Sequence, residues 1–220
     1  ITATDYNNFV SNVNAVIGTG TGDKGYGLSE VSTVSAGGTI QASDWNSLLS
    51  GLQKAANHQG TTLTNASNSV STGGNIVPLS NLEADITLTD TNRLNASGGN
   101  MSTGVAGVTS TRSTAWTTNV SHVFTVTYAS ANAARHFFNS GGKIKMTFAR
   151  SGGTSSNQNT SWTNLFSDLG TVTMSANGTA ISGSSQGGNG ANGSRGFHQL
   201  TGSAAEILNT TSSTADYTAN

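Results

Sequence analysis

The chain has 220 residues and a formal net charge of −1, with 9% of residues charged and 34% hydrophobic. That balance leaves no electrostatic footprint for nucleic acid or an anionic membrane surface, and low charge with a single proline argues against ordinary charge-driven disorder. Cysteine is absent, which excludes disulfide staples and thiolate metal sites, while the 28 glycines among many Ser, Thr and Asn suit strands and tight turns.

In chain order, Ala3-Thr4-Asp5-Tyr6-Asn7-Asn8-Phe9-Val10 is written twice, returning as Ala42-Ser43-Asp44-Trp45-Asn46-Ser47-Leu48-Leu49. Each copy reads as a helix start, with Thr4 or Ser43 placed to cap and Asp5 or Asp44 at the positive end of the dipole. Behind them Tyr6, Phe9, Val10, Val13, Val16 and Ile17 fall at helical spacing, as do Trp45, Leu48, Leu49, Leu52, Ala55 and Ala56. Two matching apolar stripes predict a helical hairpin over residues 1–60. Between them lies Gly18-Thr19-Gly20-Thr21-Gly22-Asp23-Lys24-Gly25-Tyr26-Gly27. A phosphate-binding loop needs a preceding strand and a Lys followed by Ser or Thr; here a helix precedes, and Lys24 is followed by Gly25. A turned connector is the simpler expectation. Val31 to Ile40 then returns the chain in extended form, with a turn at Ser35-Ala36-Gly37-Gly38.

Residues 61–107 read as a connector. Ser80-Asn81-Leu82-Glu83 matches a capping box and predicts a helix over about 81–94, with Leu82, Ile86 and Leu94 on a thin inner stripe suited to packing on a neighbour. Residues 108–220 read as a β-rich domain. Val120 to Tyr128 places Val120, Phe124, Val126 and Tyr128 on one strand face. Lys143 to Ala149 alternates as a half-buried strand, and Thr171 to Met174 makes another. Short helices are expected over Ala129–Asn139 and around Thr160–Phe166, the second stopped by Gly170. Ile1 in place of an initiator, and Ala215 to Asn220 where a further strand is expected, read as cut ends.

Candidate chemistry is sparse. His58, His122, His136 and His198 lack metal-ligand spacing, and His122 and His136 are expected half-buried. Asp168, Glu206 and Asp216 are the acids of the second domain open to pairing across a sugar. Trp116 and Trp162 are the candidate glycan contacts, against a core role. Arg135, Arg150 and Arg195 flank glycine-rich turns and are placed to donate to loop carbonyls. No catalytic residue, cofactor or metal site is assigned. The assembly interface is expected at Tyr6, Phe9, Val13, Trp45, Leu48, Leu49 and Leu52.

Two segments carry a resemblance. The first runs from Asp5-Tyr6-Asn7-Asn8-Phe9 through the glycine-rich loop, Ile40 to Asn46 and His58-Gln59-Gly60; the second is Arg135-His136-Phe137-Phe138-Asn139-Ser140-Gly141-Gly142-Lys143-Ile144, continuing to Gly170. Together they resemble virion structural proteins of tailed bacteriophages, notably cyanophages. The resemblance implies a non-enzymatic structural part of a virion, in a tail fibre, baseplate or related appendage, assembled in host cytoplasm and exposed on the extracellular particle. The alternatives are a head decoration or collar protein, and a carbohydrate-binding or carbohydrate-cleaving host-attachment protein. Implied partners are other virion proteins, further copies of the chain (a trimer by family analogy) and a host-surface glycan, with no nucleic acid and no membrane insertion. The fold class expected is α+β: a helical hairpin, a connector helix, then an antiparallel sandwich-like domain with short helices.

Overall fold

A computed structural model describes residues 1–64, 69–75, 79–102, 107–114, 119–183, 194–211 and 218–219. The fold is mixed α+β. Helices α1 (Ala3–Ile17), α2 (Ala42–Gln59) and α3 (Leu79–Thr91) precede α4 (Ala131–Asn139), β1 (Ile144–Thr147), α5 (Asn157–Leu169), β2 (Thr171–Met174) and β3 (Thr179–Ile181), with a short ladder of β4 (Thr210–Thr211) and β5 (Thr218–Ala219). No described helix is long and apolar enough to cross a membrane.

The repeat makes helices, each capped two residues earlier than the Thr4 and Ser43 caps predict. At α1 the cap is Thr2, whose hydroxyl accepts from Asp5 N (3.2 Å) while the Asp5 carboxylate accepts from Thr2 N (2.8 Å). At α2, Asp44 accepts from Gln41 N (2.9 Å) in the same way. The acid therefore closes the cap instead of merely facing the dipole. The two apolar stripes meet as expected, with Tyr6 and Phe9 rings on Trp45.

The hairpin expectation is corrected. Tyr6, near the start of α1, donates its hydroxyl to Asp44 O (2.9 Å) near the start of α2, while Val13 and Ile17, near the end of α1, flank Gly51 further along α2. The helices run in the same direction. Because the chain must travel the full helix length back before α2 begins, residues 18–41 include an extended return. Its backbone lies along α1 in reverse: Asn14 exchanges two hydrogen bonds with Val31 (2.8 Å each) and Asn7 two with Val34 (2.9 Å each). Each side-chain amide stands in for a strand partner, satisfying one N–H and one C=O.

The second return repeats the device. After α2, Thr61 accepts from Asn92 (3.1 Å), Thr64 N donates to Asp85 (2.9 Å), and Val70 exchanges two bonds with Asn46, the residue matching Asn7 in the repeat (2.8 and 2.9 Å). Gln59 at the end of α2 donates to Thr89 O near the end of α3 (2.9 Å), so α3 shares the direction too. All three helices contact one another. Leu82, Asp85, Ile86 and Thr89 are buried at the i, i+3, i+4, i+7 positions that Trp45, Leu48, Leu49 and Leu52 occupy in α2. The connector helix is thus a third, degenerate member of the bundle and packs within its own chain.

In the second half, β1, β2 and β3 form an antiparallel sheet in that order, paired Met146 with Val172 and Val172 with Ile181. Their apolar face is covered by α5 through Trp162, Leu165 and Leu169, and at the Ile144–Met174 end by Phe138 of α4. Gly170 ends α5 at φ +58, where a side chain would be strained. The strand expected over 120–128 is a correction as well. These residues are no strand, and 121–127 are exposed, Val123 at 85%. β propensity alone supplies no neighbouring strand to bond.

If the asparagine amides hold the returns, Asn7→Ala and Asn46→Ala each lower unfolding stability by ~1–2 kcal/mol. Exposed Asn8→Ala changes it by less than ~0.5 kcal/mol. Urea unfolding followed by far-UV circular dichroism checks this; equal effects at Asn7 and Asn8 would refute the role.

Candidate functional site

The polar centre of the molecule is the glycine-rich loop, residues 18–27, gripped by α4. Its start and end are tied by Gly27 N to Gly18 O and Leu28 N to Ile17 O (2.8 Å each). Closing the loop this way turns several of its carbonyls toward the second half of the chain. Arg135 reaches across with both terminal nitrogens, donating to Lys24 O and Thr19 O. Fully buried Asn139 donates to Gly22 O (3.1 Å) and Lys24 O (2.8 Å), and its own carbonyl oxygen accepts from His198 (2.8 Å). The His136 ring lies against Gly27, whose φ of +74 and lack of a side chain make room for it.

A second set of bonds fixes the loop to the bundle. Arg93 forms an ion pair with Asp23 (2.5 Å) and donates to Asp90 O (2.8 Å), while the Lys24 ammonium meets the Asp90 carboxylate at 2.8 Å. Tyr26 donates to Arg93 O (2.6 Å) and accepts from buried Gln59 (2.8 Å). His58 donates to Ser140 O (2.8 Å), just beyond α4. Burial pushes the Tyr26 phenol up to about 12, and the Asp23 carboxyl is held below its ordinary value chiefly by the Arg93 hydrogen bond. Burial lowers His198, with Asp23 opposing that shift and Arg135 adding to it.

Chemically this is a cradle of backbone carbonyls, the opposite polarity to a phosphate loop, which presents N–H groups. Carbonyls converging this way suit a cation, and the Arg135 guanidinium of the same chain takes that role here. Among the described residues no three His, Asp or Glu side chains are grouped to hold a metal ion. An open groove of about 770 Å³ along α2 is lined mainly by amides and hydroxyls, with Lys54 and His58.

The residues singled out from sequence are scattered. Tyr6, Phe9, Val13, Trp45, Leu48, Leu49 and Leu52 are all buried inside the chain, at most 6% exposed, so they build its core and present no assembly surface. Trp162 is core too, packed on Phe166 and Leu165, which removes it as a glycan contact. Trp116 and Asp216 lie outside the described residues. Glu206 is exposed and accepts from Asn209 (3.2 Å), and Asp168 is half-buried near the end of α5. His122 is exposed, against the half-buried expectation, with one bond to Ser110 (2.8 Å). Arg135 and Arg150 do donate to loop carbonyls, the latter to Gly152 O (2.7 Å). Nothing in the sequence singles out Asn139, Gln59 or Arg93. Neutral amides carry no spacing signature, and Arg93 lies far in sequence from its partner Asp23.

Two outcomes test the grip. Arg135→Lys keeps the charge and loses the two-pronged geometry, and Gly27→Ala drives a methyl into the His136 ring. Each should raise amide exchange in residues 18–27 about tenfold, equivalent to ~1.4 kcal/mol of local opening. The pH dependence has a defined sign. His198 resists protonation when folded, so its contribution is complete above its unfolded value of about 6.5 and declines as pH falls below it. Asp23 is depressed when folded, so its contribution is present above the ordinary carboxylate range and is lost only in stronger acid. The melting temperature should fall between pH 7.5 and pH 5, by less in His198→Gln, as measured by calorimetry.

Compared with family models, with curated proteins and with solved structures, the chain has no match.

Proposed function

We propose that this chain is a non-enzymatic structural component of a phage virion, most fittingly of a tail fibre, baseplate or related appendage. The sequence resemblance to virion structural proteins of tailed bacteriophages supplies the setting. The observation that carries the non-catalytic part is how the polar cluster around the glycine-rich loop spends its groups. Arg135 and Asn139 are directed at the backbone carbonyls of a single loop, Arg93 at that loop's Asp23 and at Asp90 O of α3, and His198 and Gln59 at neighbouring amide, hydroxyl and carbonyl groups. Groups that elsewhere bind ligands or move protons are here used to lock the helical half onto the sheet-bearing half. A latch of that kind suits a part that transmits load between neighbours.

In this reading the three-helix bundle is the rigid base and the second half is the displayed part, with other virion proteins and further copies of the chain as neighbours. A trimeric appendage and a sandwich-like completion of the displayed domain in the assembled particle belong to the same proposal. The buried helix stripes cannot serve as the contact between copies, so the contact falls on another surface.

Imaging of the intact particle, at a resolution that traces the chain, tests the placement. Density for the bundle and latch at the tail or its appendages is expected. Density spread over the capsid lattice would favour head decoration, and turnover of a polysaccharide by purified protein would overturn the non-enzymatic reading.

A further inference from the structure

The described residues 107–114 and 119–127 make an arm, exposed at every position except half-buried Val120. On this arm Val108, Val123, Phe124 and Val126 are 67%, 85%, 45% and 50% exposed, and it carries one formal charge, Arg112. The arm is rooted at Tyr128, whose ring packs on Phe137 and Phe138. Among the described residues, no backbone hydrogen bond is made within 120–127 or from it to another segment.

The same chain carries an edge that such a strand fits. β1 pairs with β2 on one side and with no other described strand. On the apolar side of the sheet, β1 leaves Ile144 and Met146 only half-buried, and Phe148 just beyond it is 41% exposed. An extended segment with Val120, His122, Phe124 and Val126 on one face and Ser121, Val123 and Thr125 on the other matches this edge in period, and Phe124 and Val126 match its apolar side.

We propose that residues 120–127 of one copy add as a strand to the β1 edge of a second copy. Phe124 and Val126 then extend the apolar face beyond Met146, and their N–H and C=O groups pair with the open side of β1. The contact is heterologous, arm to edge, so copies close into a ring or run on as a fibre according to the rotation between them. This deepens the building-block reading and rests on it, by naming the surface through which copies join.

The test uses the full chain. Sedimentation velocity from micromolar to millimolar concentration is run beside amide hydrogen exchange. The expected result is self-association in which protection rises with concentration in both 120–127 and 144–147. Val126→Pro removes an N–H that a single copy does not use, so it should leave the circular dichroism and melting temperature unchanged. It should weaken association at least tenfold. A chain that stays monomeric throughout, protection gained elsewhere, or a Val126→Pro variant that associates like the parent would each overturn the proposal. Loss of self-association would leave the particle-imaging result untouched, and absence from the particle would leave the self-association result untouched, so the two failures are distinguishable.

Discussion

The constraint on which the structure turns is that consecutive helices point the same way. Antiparallel helices can be joined by a few residues, whereas co-directional ones need a return as long as the helix itself. An extended return carries a row of backbone donors and acceptors, and no described strand of a sheet lies beside the bundle to receive them. Asn7, Asn14 and Asn46 receive them instead, each amide bonding one residue's N–H and C=O. Asparagine is the fitting choice because its amide presents a donor and an acceptor side by side, as a peptide unit does. The helices then bury the apolar stripes, and Val31 and Val34 of the return pack on the same core.

Placing all three helix C-termini at one end has a consequence for the rest of the chain. The glycine-rich loop leaves α1 there, Gln59 and Gly60 end α2 there, and Asn92 and Arg93 follow α3 there. Helix C-termini concentrate carbonyl oxygens and negative dipole ends, which favours cations. Lys24, Arg93 and Arg135 gather at this end, with Asp23 and Asp90 set between them. The latch to the second half is therefore built where the bundle's electrostatics call for positive charge. Ion pairs this exposed contribute little singly; their value here lies in orienting groups that also bond backbone carbonyls.

Much of this was legible in the sequence, and the limits have physical causes. The internal repeat and 3.6-residue spacing located α1 and α2 and every side chain of their shared core, because burial of an apolar stripe depends on local spacing. Direction was not legible, since a stripe has the same period whichever way its helix runs. The capping box locates α3, while its thin stripe does not place it in the bundle. Its stripe contains Asp85 and Thr89, which read as polar and are buried because Thr64 N bonds the Asp85 carboxylate and the Thr89 hydroxyl bonds Asp85 O. The latch was legible only at Arg135, beside its glycines. Asn139 and Gln59 act through amides whose partners the fold alone brings near.

The 120–128 segment shows the remaining limit from the other side. Its alternation of Val, Phe and Val with Thr is a strong strand pattern, yet a strand requires a neighbour, and sequence pattern specifies only the wish for one. Within the bundle the chain solves the same problem with side-chain amides. Residues 120–127 have none: there is no Asn, Gln or Asp among them, and the His122 bond to Ser110 leaves their backbone untouched. A chain that equips two returns with surrogate partners and omits them from a third extended segment treats the two differently. The returns are finished by folding, whereas 120–127 make no backbone hydrogen bond among the described residues, and the β1 edge, paired on one side only with a described strand, offers the complementary row.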